Sequence, residues 1–139
     1  MTTIAYHHES GTLAADGRLT RGALIVTDNA DKFNIAQNGD ILALAGDVSV
    51  CDALTESWPD VPKKKGNCRG FAVVDGCVFY VNMYQSNITK HLCSCSDAVG
   101  SGEEYALAAL DLGATAREAV EAAARRDIYT GGKVREITP

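Results

Sequence analysis

Met1-Thr2-Thr3-Ile4-Ala5-Tyr6 and, a turn later, Thr12-Leu13-Ala14-Ala15-Asp16-Gly17 decide how this sequence folds. Thr3 to Tyr6 mixes β-branched and aromatic residues, a strand signal, and Glu9-Ser10-Gly11 supplies turn chemistry. Thr12 to Ala15 then reads as the returning strand, so the opening is predicted to be a β-hairpin with Asp16 at the end of its second arm. Antiparallel partners lie about 5 Å apart, which folds Asp16 back alongside Thr2. A threonine that follows an initiator methionine becomes the amino terminus once that methionine is clipped. It then carries a hydroxyl nucleophile and an α-amine, whose unperturbed pKa of about 8 lets it act as a base near neutrality. Pairing a nucleophile with the amino-terminal base is one established way of activating a threonine hydroxyl. A retained Met1 would bury that base in an amide.

Working outward, Ala23-Leu24-Ile25-Val26 is a strand candidate closed by Asp28-Asn29, and Lys32 to Ala36 alternates up to an Asn38-Gly39 turn. Ile41-Leu42-Ala43-Leu44-Ala45 is a continuous apolar run, as expected of a strand buried on both faces. Gly46 ends it, where the backbone turns tightly or approaches something closely. Asp47 is a candidate N-cap for a helix on which Val48, Cys51, Leu54 and Trp58 share a face, and Pro59 and Pro62 stop it. Pro59 to Arg69, with Lys63-Lys64-Lys65, reads as an exposed polar loop. Phe71 to Val74 and Cys77 to Val81 flank Asp75-Gly76 as a second hairpin, and His91 to Val99 supplies another strand candidate.

Gly100-Ser101-Gly102 introduces an alanine-rich helix from Glu103 to about Leu112, with Ser101 a candidate N-cap. Gly113 stops it. Thr115-Ala116-Arg117-Glu118 is a capping box that opens a second helix running to about Arg126. Tyr129-Thr130-Gly131-Gly132 then turns the chain into a closing strand, Lys133 to Ile137. Hairpin-connected strands mean antiparallel sheets, and helices grouped after strands suggest separate layers. Two packed sheets with helices outside would cover every apolar face.

At 139 residues the natural reading is one domain spanning 1–139. No run of about 18 apolar residues offers a membrane span, and no basic patch followed by an apolar stretch offers a signal peptide. A net charge of −5 without a basic stripe argues against a nucleic-acid surface. Five cysteines, an odd number, without a secretory signal suit a reducing, cytoplasmic setting with free thiols. His91, Cys93 and Cys95 alternate and would share one strand face. Zinc sites favour wider cysteine spacing, so small buried thiols are the better reading. His7 and His8 are expected to be solvated at the hairpin tip.

Taken in order, Thr2-Thr3-Ile4, Ala15-Asp16-Gly17, Asp31-Lys32-Phe33, Leu44-Ala45-Gly46, Gly100-Ser101-Gly102-x-x-Tyr105-Ala106 and Asp127-Ile128-Tyr129-Thr130-Gly131-Gly132 resemble the proteasome β-type peptidases, in particular HslV-like subunits. The resemblance covers most of the chain. It implies an α+β fold, the four-layer αββα sandwich of amino-terminal-nucleophile (Ntn) hydrolases. Here the first helical layer is shortened, because Gly46 to Gly70 has room for one short helix where that family has two long ones. It further implies a threonine-type peptidase in which Thr2 attacks a peptide carbonyl, its own amine shuttling the proton. Lys32 would lower the pKa of the nucleophile, Asp16 would hold Lys32, and the Gly46 N–H would supply the oxyanion hole. Ser101 would hydrogen-bond the amine, with Asp127 and Thr130 in support. Thr130 stands where proteasome subunits commonly have serine.

No cofactor is required by this reading, although carbonyls near Thr130 would suit a structural monovalent cation. The expected partners are peptide or unfolded protein, further copies of the chain in a homo-oligomer, and an ATP-dependent unfoldase. Two alternatives stay open at this point: a catalytically silent assembly protein of the same fold, and an amidase of small molecules.

Overall fold

A computed structural model describes residues 2–139. The first half of the chain runs β1 (Thr3–His7), β2 (Thr12–Ala15), β3 (Leu19–Arg21), β4 (Leu24–Thr27), β5 (Phe33–Ile35), β6 (Ile41–Gly46) and α1 (Val48–Ser57). The second half runs β7 (Gly66–Val74), β8 (Cys77–Gln85), β9 (Asn87–Leu92), β10 (Asp97–Gly100), α2 (Glu103–Asp111), α3 (Ala116–Ala124) and β11 (Arg135–Ile137).

The opening hairpin forms as the sequence predicts, with Ile4 opposite Ala15 and His7 opposite Thr12. It is the centre of a four-stranded sheet ordered β10-β1-β2-β11. A five-stranded antiparallel sheet follows the order β5-β6-β7-β8-β9, and β3 pairs with β4 as a separate ribbon.

Period-two alternation decides what each sheet faces. Ile4, Tyr6, Leu13 and Ala15 point from the four-stranded sheet onto Ala43, Ala45, Phe71 and Val73 of the five-stranded one, and this forms a single core. The residues between them, Ala5 and Ala14, face the other way, under Ala106, Ala119, Val120 and Ala123 of α2 and α3. Alanines on both sides let these helices lie close to the sheet. On the far side of the five-stranded sheet, Leu42, Leu44, Ala72, Val81 and Met83 pack against Val50, Leu54 and Trp58 around α1. The continuous apolar run at 41–45 is thus explained, since Leu42 and Ala43 contribute to opposite cores.

Several expectations need correction. Asp47 caps α1 by accepting from the Ser49 N–H at 2.8 Å, but Val48 is 52% exposed and Val50 takes its place in the core. Residues 66–69 are not loop, because β7 starts at Gly66 and runs unbroken against β8. His91 to Val99 is not one strand either. β9 ends at Leu92 and β10 starts at Asp97, so His91, Cys93 and Cys95 do not follow one another along a single strand face. The closing strand is shorter than predicted, and β3 was not anticipated. Thr115 and Glu118 close the predicted capping box, at 3.0 and 3.1 Å. Ser101 is not the cap of α2. That position belongs to Gly102, without a side-chain cap.

Candidate active site

Asp16 lies at the end of the hairpin, one register step beyond Ala15, and is 1% exposed. Its N–H donates to the Thr3 carbonyl at 3.2 Å, and the Thr3 N–H donates back to Asp16 Oδ1 at 3.1 Å. The carboxylate therefore stands opposite Thr3, immediately beside Thr2. Its other oxygen accepts from the backbone N–H of Gly131 at 3.1 Å and of Arg18 at 3.3 Å. Into this ring of donors Lys32 brings its ammonium, with Nζ 2.6 Å from Oδ1. The Lys32 side chain is 9% exposed. Burial pushes the ammonium below the usual lysine range, and the Asp16 charge and hydrogen bond oppose that push.

Thr2 is buried and is held by its main chain, for its carbonyl accepts from the Ser101 N–H at 2.8 Å. Gly100 makes this approach possible. At φ +109° it adopts a backbone unfavourable to other residues, and a Cβ there would lie 1.7 Å from the Thr2 carbonyl oxygen. Gly46 behaves similarly at the end of β6, with φ +144° and no room for a Cβ beside the Asn67 carbonyl. Thr2, Lys32 and Gly46, far apart in sequence, line one cavity of about 190 Å³. A larger cavity of about 580 Å³ adjoins it and shares Gly46 and Val48.

Behind Thr2 runs a chain of hydroxyls ending on a carboxylate. The Ser101 hydroxyl donates to Asp127 Oδ2 at 2.5 Å, and the Thr130 hydroxyl donates to the same oxygen at 2.6 Å. Thr130 Oγ1 also lies 2.6 Å from Thr3 Oγ1, which accepts from the Gly102 N–H. Burial raises the pKa of Asp127, but the Ser101 and Thr130 hydroxyls and the Tyr129 N–H outweigh it and hold the carboxyl below its ordinary value. The loop before β11 is thereby fixed to the start of β1.

The structure brings Thr2, Asp16, Lys32, Gly46, Ser101, Asp127 and Thr130 to one end of the paired sheets. One residue was missed from sequence. Arg18 Nε bonds Asp28 at 2.8 Å, its Nη1 reaches the Ile128 carbonyl at 2.9 Å, and its guanidinium packs on Gly131. It joins three segments of the site, and nothing in its sequence context signals this. The processing of Met1 lies outside the described residues. Among those residues, no group of three or more His, Cys, Asp or Glu side chains is arranged to hold a metal ion. No helix among them is long and apolar enough to cross a membrane.

A hydroxyl and a buried, carboxylate-held ammonium at one cavity wall form an arrangement that can favour an alkoxide. A glycine backbone faces the same cavity. No protein-family model matches the chain, and no curated protein matches it. Solved structures do. The crystal structure of eukaryotic HslV from Trypanosoma brucei superposes with a TM-score of 0.73 at 17% identity, covering 98% of each chain. Thiobacillus denitrificans BPH in complex with epoxomicin gives 0.69 at 19% identity, covering 98% of this chain and 97% of that one. With such agreement over nearly the whole length of both chains, the protein has an HslV-like fold.

Proposed function

We propose that the protein is a threonine-type peptidase of the amino-terminal-nucleophile class, built as a compact four-layer αββα sandwich in one domain. The observation that carries the reading is the meeting of Thr2, Lys32 and Gly46 at one cavity, with Lys32 held by a fully buried Asp16. Once Met1 is removed, the Thr2 amine takes the proton of its own hydroxyl as Oγ1 attacks the scissile carbonyl. The Lys32 ammonium favours the deprotonated nucleophile electrostatically. The Gly46 N–H stabilises the oxyanion, a contribution of about 3 kcal/mol for a single such donor. Collapse of the tetrahedral intermediate passes the proton to the leaving amine and leaves an ester on Thr2. Water, activated by the same amine, then hydrolyses it. The Ser101, Asp127 and Thr130 network fixes the geometry of the terminus, and the adjoining larger cavity gives room to flanking residues of the peptide.

The protein works as a homo-oligomer in this reading. Leu24, Ile25 and Val26 on β4 are 56%, 47% and 48% exposed in the single chain, an apolar ribbon suited to burial between copies. The solved epoxomicin complex of a structure with the same fold suggests the direct test. Intact-mass spectrometry should find a chain beginning at Thr2, and an epoxyketone should add to that residue. Thr2→Ala should abolish labelling and peptide hydrolysis while the variant still assembles on native mass spectrometry. An unreactive, mature Thr2 terminus would refute the peptidase reading.

A further inference from the structure

We propose that the cavity beside Thr2 selects a basic side chain, lysine or arginine, on the residue that donates the scissile carbonyl. This rests on the peptidase reading and names its substrate class. At about 190 Å³ the cavity is side-chain-sized, below the range of typical small-molecule pockets. Its wall has two chemistries. Leu19, Leu44 and Val48 give an apolar lining, while Asp31, ahead of β5, and Asp52, on α1, bring carboxylates. Val48, Cys51 and Asp52 lie on one face of α1 at helical spacing, so the helix presents its carboxylate to the cavity together with its apolar residues.

Lys32 is the cation of the same wall, but Asp16 already opposes its charge at 2.6 Å. In the reactive form the Thr2 amine is neutral, so two carboxylates remain to set the sign of the field that an entering side chain meets. Asp31 is fixed in part by accepting from the Phe33 N–H at 3.0 Å. A long basic side chain suits such a wall, because its methylene stem can lie along the apolar residues while its charged head meets the carboxylates. An acidic side chain would face repulsion from both. Asp31 and Asp52 are solvent-exposed, so the attraction is screened and grades substrates without excluding neutral ones.

The test is a set of fluorogenic peptides that differ only in the residue before the cleaved bond, carrying Arg, Leu or Glu, run on the mature oligomer beside epoxyketone labelling of Thr2. The expected result is a kcat/KM for Arg about tenfold above Leu, the size of two screened ion pairs, with Glu lowest. The Arg:Leu ratio should fall as salt rises. Asp52→Asn and, separately, Asp31→Asn should each lower that ratio, and Asp52→Lys should invert the order of Arg and Glu. Labelling of Thr2 with Leu cleaved as well as or better than Arg would overturn the basic preference and leave the peptidase reading standing. So would a ratio indifferent to Asp52→Asn and Asp31→Asn. Absence of both labelling and cleavage would overturn the two together.

Discussion

The Lys32 ammonium lies 2.6 Å from an Asp16 carboxylate that is 1% exposed, and the pair occupies the end of a hairpin rather than the middle of a core. Asp16 also receives the N–H groups of Thr3, Gly131 and Arg18. Removing the charge of Asp16 weakens four donor bonds at once, whereas removing Lys32 leaves a carboxylate that still receives three backbone N–H groups. Asp16→Asn should therefore lower unfolding stability by about 3–5 kcal/mol, and Lys32→Met by clearly less. Urea denaturation followed by circular dichroism gives both values. Equal losses would contradict the asymmetry.

Thr130 is fully buried between Thr3 and Asp127. Thr130→Val keeps the shape and removes the hydroxyl, so it should cost about 1–3 kcal/mol by taking a donor from the half-buried Asp127 carboxylate and an acceptor from the buried Thr3 hydroxyl. Thr130→Ser keeps the hydroxyl and should cost much less. The order of the two melting temperatures checks this.

The acid limb of stability should carry the signature of Asp127. Its folded pKa is held down, so at pH values above the ordinary aspartate value of about 4 it contributes stability that Asp127→Asn lacks. That contribution should fade as the pH falls below this value and through the folded pKa. Lys32 moves stability the same way with pH, but in an alkaline window. Its depressed folded pKa means that burial of the cation costs stability at neutral pH, a cost relieved as pH rises through the folded pKa toward the ordinary lysine value. Stability curves for the wild type, Asp127→Asn and Lys32→Met, measured from acid to alkaline pH, separate the two. A wild-type minus Asp127→Asn difference that stays constant in acid would refute the first claim.

The thiols should divide by position. Cys77 and Cys95 are exposed and should react with iodoacetamide in the native protein. Burial pushes Cys93 up to about 11, and contact with Cys68 together with burial pushes Cys51 well above the ordinary thiol range. Half-buried Cys93 and Cys51 should label slowly in the native protein, and the buried Cys68 only after unfolding. Peptide mapping of the alkylated protein reads this directly.

The placing of Asp16 and Gly46 at the candidate site was legible because both sit at element ends with strong local signals. Asp16 follows a short hairpin, and Gly46 ends an unbroken apolar run. The HslV-like fold was likewise legible from the ordered motifs. The misses have physical causes. β3 and β4 form an exposed ribbon, so neither alternation nor burial marks Leu19 to Arg21. The start of β7 does alternate, with Cys68 and Gly70 buried on either side of a more exposed Arg69, but two glycines and an asparagine hide that pattern under poor strand propensity. Val48 looks like a core residue by spacing, yet it stands exposed in the first turn of α1 and fronts the cavity instead. Ser101 has a capping residue's composition but is drawn away by a carboxylate 26 residues later in the chain, a contact that local sequence does not announce.

The grip on Thr2 comes through its main-chain oxygen, with Gly100 and Ser101 as the clasp. The seat is thus set by the backbone. A serine or a cysteine placed there would inherit the same address, which makes this chain a frame in which oxygen and sulfur, or a hydroxyl with and without its methyl, can be compared without moving the scaffold.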